Sequence, residues 1–600
     1  MCGIWAYISK NKVGNDKMMR LYKKFNEIKP RGPDRFTLFN LDSINMLLGF
    51  HRLSIIDTSH KGDQPFIHVD NNRTVYTCCN GEIYNYIQLI DKHNLNPSLK
   101  KESDCKVVHE LYLKLGLEKL CLELVGEFAF VIVDVNNDNT KDVNNEDSTK
   151  VVVHIARDPL GVRPLYVSYT DESLYIGSEL KGSPHAPFDS KTCVDNKVHI
   201  DNKVHIDNKV HIDNKVHIDN KVHIEQVRGG HYASFSINDI KNTVSNYKPK
   251  YKCFYSVDNV KTTVENIDIA KTMINKSLSE CVIDRLMADV PIGFLLSGGV
   301  DSSLVCGIAA NHLKPQRIRT FSCGLETGST DEPYARKVAE HINSIHTHIV
   351  FTEKEFMEAI PNIVYTIETY DITSVRASVA QYLICKWIKS NTDIKVLLCG
   401  DGSDELTKGY KYNHMAPNAE EAHKDTLRLL KDIIYFDGKR ADRGVAGNGI
   451  EARVPFLDHR FVDTYLSIEP SLTMPTIYEK TGKKLEKWLL RESFRESNII
   501  PEEVLFRNKE AFSDGISTVK KSWFETVQDE MNERYKDVDI TKLSDIYSYN
   551  TPPTREALYY REEFERLFGK DAVYVIPYFW LPKWVGNITE PSARVLEAYK

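Results

Sequence analysis

Apolar residues run without a break from Phe294 to Leu296, stop at Ser297-Gly298-Gly299, and resume with helical spacing at Leu304, Val305, Ile308 and Ala309. This pattern predicts a buried strand, a tight turn and a helix. Downstream the chain keeps alternating. Strands are expected over 318–323, 346–351 and 396–398, and helices over 334–342, 356–366 and 379–389. Such alternation predicts a parallel sheet with helices on both faces and ligands at the carboxyl ends of the strands. An amphipathic helix over 268–287 precedes it. The first third reads differently. Short strands are expected over 4–8, 50–57, 74–79, 127–134 and 151–158, with a helix over 18–28 broken at Arg31-Gly32-Pro33-Asp34 and a helix over 105–115 capped by Ser103-Asp104.

Three stretches carry no core pattern. Residues 136–150 are rich in Asn and Asp and read as an exposed hairpin tip. Residues 241–264 are polar and read as a linker. Between 195 and 224 the unit Asp-Asn-Lys-Val-His-Ile occurs five times without change. A period of six would scatter Val and Ile around a helix, whereas in a strand they share one face, so any order here is expected to be β. The favoured reading is a tandem expansion in a tolerant surface loop, despite the five histidines.

Six hundred residues allow two to four domains. A net charge of −6 without a basic block makes nucleic acid or an anionic membrane a poor partner. No apolar run is long enough to span a bilayer, and Met1-Cys2-Gly3-Ile4 does not open a signal peptide. The cysteines are scattered and form no CxxC, so a reduced, cytoplasmic protein is expected.

The turn after Leu296 is chemically dense. Ser297, Ser302 and Ser303 bring hydroxyls, Asp301 a carboxylate, and Gly298 and Gly299 let backbone amides approach an anion at a helix start. It is a phosphate cradle without the Gly-Lys-Ser/Thr ending of a Walker A loop. Cys399-Gly400-Asp401-Gly402-Ser403-Asp404-Glu405 follows another predicted strand and offers carboxylates of the kind magnesium takes beside phosphates. Asp301 and Asp404 are the candidate Mg2+ ligands, and Lys509 is placed to neutralise phosphate charge. At the other end, removal of Met1 would give Cys2 both a thiol and a free α-amine, a nucleophile carrying its own base. Asn80 and Gly81 offer two converging donors for an oxyanion. Taken singly, each of these is an ordinary turn, cap or surface charge.

Together they match known patterns. Ser-Gly-Gly-Val-Asp-Ser resembles the pyrophosphate loop of the ATP pyrophosphatase family. Residues 2–235 resemble a class II glutamine amidotransferase, which implies an α+β N-terminal-nucleophile hydrolase fold, two antiparallel sheets between helices. Glu368-Thr369-Tyr370-Asp371-Ile372-Thr373 and Lys509-Glu510-Ala511-Phe512-Ser513-Asp514-Gly515 extend the likeness: nearly the whole chain resembles the glutamine-hydrolysing asparagine synthetases. The resemblance implies a glutaminase domain over 2–235 holding the repeat, a linker over 236–265, an α/β synthetase domain over 266–570 and a tail over 571–600. It places the nucleophile on Cys2, the oxyanion donors on Asn80 and Gly81, and glutamine contacts on Arg52, Leu53, Ser54, Ile55, Ile56, Glu82 and Asp104. ATP contacts fall on Leu295, Ser297, Gly298, Gly299, Asp301, Ser302, Ser303, Cys323, Cys399 and Gly400, and aspartate or adenylate contacts on Thr373, Ser374 and Arg376. Asp401 stands where the family has a glutamate implicated in forming the acyl-adenylate, and is one methylene shorter. Cys399 and Cys323 stand where it usually has serine and an aliphatic residue. The implied substrates are glutamine, aspartate and ATP with Mg2+, and a homodimer is compatible with the reading. A phosphoribosyl-transferring amidotransferase lacks a reason for the pyrophosphate loop. A ring-closing synthetase need not keep Cys2, Arg52, Asn80 and Asp104 together.

Overall fold

The computed structural model describes residues 1–137, 149–186, 222–237, 249–592 and 594. The hairpin tip expected over 136–150 lies outside the described residues except at its ends, as does the repeat except for Val222, His223 and Ile224.

The first half contains β1 (Gly3–Ser9), β2 (Arg35–Leu41), β3 (Met46–Arg52), β4 (Phe66–Val69), β5 (Arg73–Ile83), β6 (Gly126–Asn137), β7 (Thr149–Arg157), β8 (Tyr166–Tyr169), β9 (Ser173–Gly177), β10 (His223–Gln226), β11 (His231–Ser236) and β12 (Lys252–Cys253). They form two six-stranded sheets, ordered β10-β8-β9-β1-β3-β2 and β12-β11-β7-β6-β5-β4, with antiparallel pairing throughout. Strand alternation produces the layers. Ile4, Ala6 and Ile8 of β1 share a core with Ala129, Val131 and Val133 of β6. Trp5 and Tyr7 face the other way, onto Leu21 and Phe25 of the helix Asn15–Glu27. Phe128, Phe130 and Ile132 turn the second sheet's outer face to Val107, Val108 and Leu111 of the helix Lys106–Leu115. The result is helix, sheet, sheet, helix, the two-sheet fold expected for this half.

Several local expectations are corrected. β5 runs past Cys79 to Ile83, because its pairing with β6 continues to Ile83 opposite Gly126. Asn80, Gly81 and Glu82 therefore sit inside a strand. β3 ends at Arg52, so Leu53 to Ile56 follow the strand. The Asp104 side chain does not cap the helix: Cys105 is its N-cap, and the Asp104 carboxylate instead accepts the Ile83 N–H at 2.7 Å. β12 pairs with β11 inside the stretch expected to be linker.

The second half holds β13 (Ile292–Leu295), β14 (Arg319–Leu325), β15 (Ile345–Phe351), β16 (Val396–Leu398) and β17 (Glu451–Arg453) in the order β15-β14-β13-β16-β17, all parallel. The winding reverses between β13 and β16, and the two loops rich in glycine and acid both leave the sheet there, where such sheets bind ligands. β17 had no apolar signature, since two of its three buried residues are Glu451 and Arg453. The helix Ile372–Asn391 starts earlier than the pattern predicts and takes in Thr373, Ser374 and Arg376; Asp371 caps it by accepting the Ser374 N–H at 2.9 Å. Its first turns are buried all round, which erases the amphipathic stripe. The expected tail is packed: Tyr370 donates to the Val573 carbonyl at 2.6 Å, and Trp580 N–H to Asp371 at 2.8 Å.

The halves are not loosely tethered. Met1, Leu53, Ile55, Leu160, Val162, Tyr166 and Leu180 belong to the same apolar core as the parallel sheet of the second half and its helices. Buried charges cross the same boundary. Arg31 pairs with Glu179 at 3.0 Å and Asp442 at 2.7 Å, Arg285 with Glu127 at 2.8 Å, and Arg453 with Glu82 at 3.3 Å.

Candidate active sites

Cys2 immediately precedes β1 and is fixed from both sides. Its N–H donates to Asn80 Oδ1 at 2.8 Å, its carbonyl accepts from Arg31 Nε at 2.9 Å, and its thiol lies 3.7 Å from the Leu53 carbonyl. Asn80 Nδ2 is buried without a hydrogen-bond partner. An orphaned buried donor is costly, and here it belongs to the amide that grips Cys2, so an acceptor arriving at the thiol could use it. Gly81 is required on backbone grounds: its φ is +150°, and a Cβ would meet the Glu127 carbonyl oxygen at 2.0 Å. Burial pushes the Cys2 thiol up to about 11 with Met1 in place.

Two buried carboxylates, Glu82 and Asp104, stand near this residue pair. Burial raises Glu82 well above its ordinary range, and Asp104 adds to the effect; burial raises Asp104 to about 6. A cation would relieve both. Arg52, by contrast, is engaged with the chain: it donates to the Ser59 carbonyl at 2.6 Å, to Asp63 at 2.7 Å and to the Asp57 carbonyl. Leu53, Ser54 and Ile55 are buried beside it, Ser54 N–H donates to Asp34 at 2.9 Å, and Ile56 is half-buried.

The second site is a cavity of about 1050 Å3, open mouth included, at the carboxyl ends of β13, β14 and β16. It is lined by Leu295, Ser297, Gly299, Asp301, Ser302, Cys323, Cys399, Gly400, Asp401, Asp404 and Lys509, bringing together segments from three distant parts of the chain. The Ser297 and Ser302 hydroxyls are 3.0 Å apart across the turn, and the helix Val300–Leu313 begins there. Gly298 and Ser303 belong to the same loop without lining the cavity; the Ser303 hydroxyl is buried and unpartnered. Thr373, Ser374 and Arg376 are not brought to the cavity wall. Arg376 is buried among acids, paired with Glu556 and, at 2.6 Å, with Glu590. Its charge is spent on holding the tail.

Four charged groups meet at the cavity, Asp301, Asp404 and Lys509 in its lining and Lys487 fully buried against the two acids. Lys487 Nζ lies 2.5 Å from Asp301 Oδ2 and 2.6 Å from Asp404 Oδ1, and Lys509 Nζ lies 2.5 Å from Asp404 Oδ2. Burial opposes the charged form of Asp404, but Lys487 and Lys509 outweigh it and hold the carboxyl well below its usual range. Asp401 is different. Burial raises its carboxyl, Arg440 at 2.6 Å opposes, and nearby Asp437 raises it further. Sequence reasoning missed Lys487, Arg440, Asp437, Asp331 and Arg507, all of which line this cavity or touch its acids. Lys487 carries one weak signal, a charge set directly before the apolar run Trp488-Leu489-Leu490.

Mg2+ is implied by the resemblance, and the donor set fits it. No group of three or more His, Cys, Asp or Glu forms a cage among the described residues. Magnesium, however, takes one or two carboxylates and completes its shell with phosphate and water. Asp301 and Asp404 share one cationic partner, and Asp404 Oδ1 has that ion pair but no hydrogen bond.

Comparison with known proteins covers both halves of the chain. A family model described as a glutamine amidotransferase domain matches residues 1–248, and one described as asparagine synthase matches 273–423 and 414–575. The asparagine synthetase (glutamine-hydrolyzing) of Gallus gallus is 38% identical, over 100% of this chain and 99% of its own length. The probable asparagine synthetase of Acanthamoeba polyphaga mimivirus is 38% identical, over 99% and 100%. The Homo sapiens enzyme is 37% identical, over 100% and 99%. With a thiol held beside an orphaned amide in one half, a glycine- and acid-lined cavity in the other, and likeness along its full length, the chain belongs to the family of glutamine-hydrolysing asparagine synthetases.

Proposed function

We propose that the protein carries out its family's reaction, making L-asparagine from L-aspartate with nitrogen from L-glutamine and ATP as the energy source, through the residues assembled at the two sites. The observation that carries this is the convergence of the Ser297–Ser303 loop, the Cys399–Asp404 loop and Lys509 on one cavity at the switch between β13 and β16.

With Met1 removed, the Cys2 nitrogen is the α-amine and serves as base. The thiolate attacks the glutamine side-chain carbonyl carbon, ammonia leaves, and water later releases glutamate from the thioester. Asn80 Nδ2 and the Gly81 N–H receive the oxyanion. Glu82 and Asp104 meet the substrate ammonium, and Arg52, with Leu53 to Ile56, meets its carboxylate once the guanidinium exchanges a protein acceptor for it. In the second cavity the aspartate β-carboxylate attacks the α-phosphorus and pyrophosphate leaves. The Ser297–Ser303 loop cradles the phosphates, Leu295, Cys323, Cys399 and Gly400 bound the nucleoside, and Lys509 neutralises developing charge. Asp301 and Asp404 would hold Mg2+, which supplies positive charge to the pyrophosphate. Asp401 is the acid nearest the role of the family's glutamate, with Arg440 setting its orientation. Ammonia crosses the buried boundary between the halves, attacks the acyl carbon and displaces AMP. The acyl-adenylate must be kept from water, which the tight join between the halves favours.

The free state of all eleven cysteines among the described residues supports a reduced, cytosolic setting, and no helix among those residues is long and apolar enough to cross a membrane. The test is a product assay with aspartate, glutamine and ATP-Mg2+. Asparagine, glutamate, AMP and pyrophosphate in equal amounts are expected. Production of ADP and phosphate, or no aspartate-dependent AMP, overturns the reading.

A further inference from the structure

Lys487 stands where a divalent cation would have to go. Its ammonium is fully buried, donates to Asp301 Oδ2 (2.5 Å) and, more distantly, Ser403 Oγ (3.5 Å), and lies in ion-pair contact with Asp404 Oδ1 (2.6 Å). The position is built rather than incidental. The backbone at Lys487 is left-handed, with φ at +57°, and opens the helix Trp488–Phe494, so the side chain starts from a fixed point. Gly409 leaves the room the stem needs: a Cβ there would meet Lys487 Cε and Asp404 Oδ1, each at 2.1 Å. Lys509 takes the other oxygen of Asp404. Two carboxylates thus face two ammonium groups, and the floor is balanced.

We propose that Lys487 is a resident counter-ion that keeps a divalent metal out of the Asp301–Asp404 pair until a nucleotide brings phosphates to receive the displaced ammonium. The inference rests on reading this cavity as the nucleotide site. A bare dication entering between the carboxylates must either share them with Lys487, at strong like-charge repulsion, or drive a buried ammonium away from the two acids it pairs with. Neither happens readily. A triphosphate changes the balance, because its oxygens can take over the Lys487 ammonium as the metal takes the carboxylates. Metal and nucleotide then enter together, and the empty site does not fill with adventitious cation. Lys487 acts here as a positioning residue.

The experiment uses the full chain, Mn2+ as the probe and electron paramagnetic resonance to count protein-bound ion, with and without an α,β-methylene analogue of ATP. Wild type is expected to bind Mn2+ at this site only with the analogue. Lys487→Gln is expected to bind it without nucleotide, at least about tenfold more tightly than wild type, since one unit positive charge beside the carboxylates is gone. Lys487→Arg keeps the charge and is expected to restore the nucleotide requirement. Equal Mn2+ binding by wild type with and without the analogue overturns the inference, as does a Lys487→Gln protein of native circular dichroism that gains no nucleotide-free binding. Should Lys487→Gln not fold, the two wild-type titrations decide. Absence of bound Mn2+ even with the analogue removes the metal assignment itself, a failure distinct from the others.

Discussion

At Cys2 the backbone nitrogen donates to Asn80 Oδ1 at 2.8 Å, and the proposed mechanism uses it, once freed, as the base for the thiol. Cys2→Ala is therefore expected to abolish glutamine-dependent asparagine formation and to spare synthesis from ammonium salts, because only ammonia release uses the thiol. Loss of both in a folded protein would show that the two sites are not chemically separate. The acids beside it set a pH limit. Asp104, raised by burial to about 6, loses its charge as pH falls through that value, and with it the attraction for the substrate ammonium that the proposed mechanism assigns to it. kcat/KM for glutamine should drop below pH ~6, while the ammonia-dependent reaction at fixed free ammonia shows no such limb from this group. Asp104→Asn should flatten the limb at a lowered plateau. What could be read from sequence at this scale was whatever sits in a compact motif: Ser297 to Ser303, Asp401 to Asp404, Asn80-Gly81. Arg440 reaches the cavity, and Lys487 reaches its acids, from segments without a motif. Arg440 lies in Lys439-Arg440-Ala441-Asp442-Arg443, a charge run that reads as a solvated face yet has Lys439, Asp442 and Arg443 buried. Arg376 sits in a motif of the family, but its partners Glu556 and Glu590 are distant in sequence, so its engagement in the tail could not be seen.

Among elements, β1, β3, β5, β6 and β7 and the alternating strands β14 to β16 with their helices were legible because each buries one or both faces in a regular period, whereas β2, β4, β8, β9 and β11 were not anticipated. The failures share a cause. β17 is a core strand made largely of charge, and the first turns of the helix Ile372–Asn391 are buried on every side, so neither shows the amphipathic contrast that pattern reading needs. β12 is two residues long and exposed, too short to leave a pattern. The repeat bears on one further element. Its last His-Ile pair enters β10, with His223 opposite Tyr169 and Ile224 opposite Ser168 at the edge of the first sheet. A shortened chain must keep that unit. Deleting residues 195–218 leaves it intact and preserves strand parity, and identical units cannot supply the different groups a catalytic site needs. The deletion is expected to leave both half-reactions and the ratio of asparagine formed to glutamine hydrolysed unchanged. A large fall in that ratio would assign the repeat a part in coupling.

For the whole molecule the decisive feature is the charged seam between the halves. Arg31 joins three parties, accepting no substitute easily: Glu179 of its own half, Asp442 of the other, and the Cys2 carbonyl. Arg31→Met keeps the stem's apolar volume but strands two buried carboxylates. It should cost about 3 kcal/mol, read as a lower denaturant midpoint, and should raise glutamine consumed per asparagine made as the join loosens. An unchanged ratio with lowered stability would confine Arg31 to holding the halves. Arg31-Gly32-Pro33-Asp34 was legible as a turn, but not its reach across the molecule, since Asp442 lies 411 residues away.

The same seam encloses the chain's first residue. Met1 is almost wholly buried, its amine 3.5 Å from Glu451 of the second half and its sulfur against Arg163. An aminopeptidase needs that residue free and extended, which the finished molecule does not offer. On the proposed free-amine mechanism, removal of the methionine is therefore expected before the halves close over it, and a folded chain that keeps it is expected to lack glutaminase activity. Protein produced while methionine aminopeptidase is inhibited should resist trimming by added enzyme until it is unfolded, as intact mass would record. Ready trimming of the folded protein would mean that the halves part often enough to release their own starting residue.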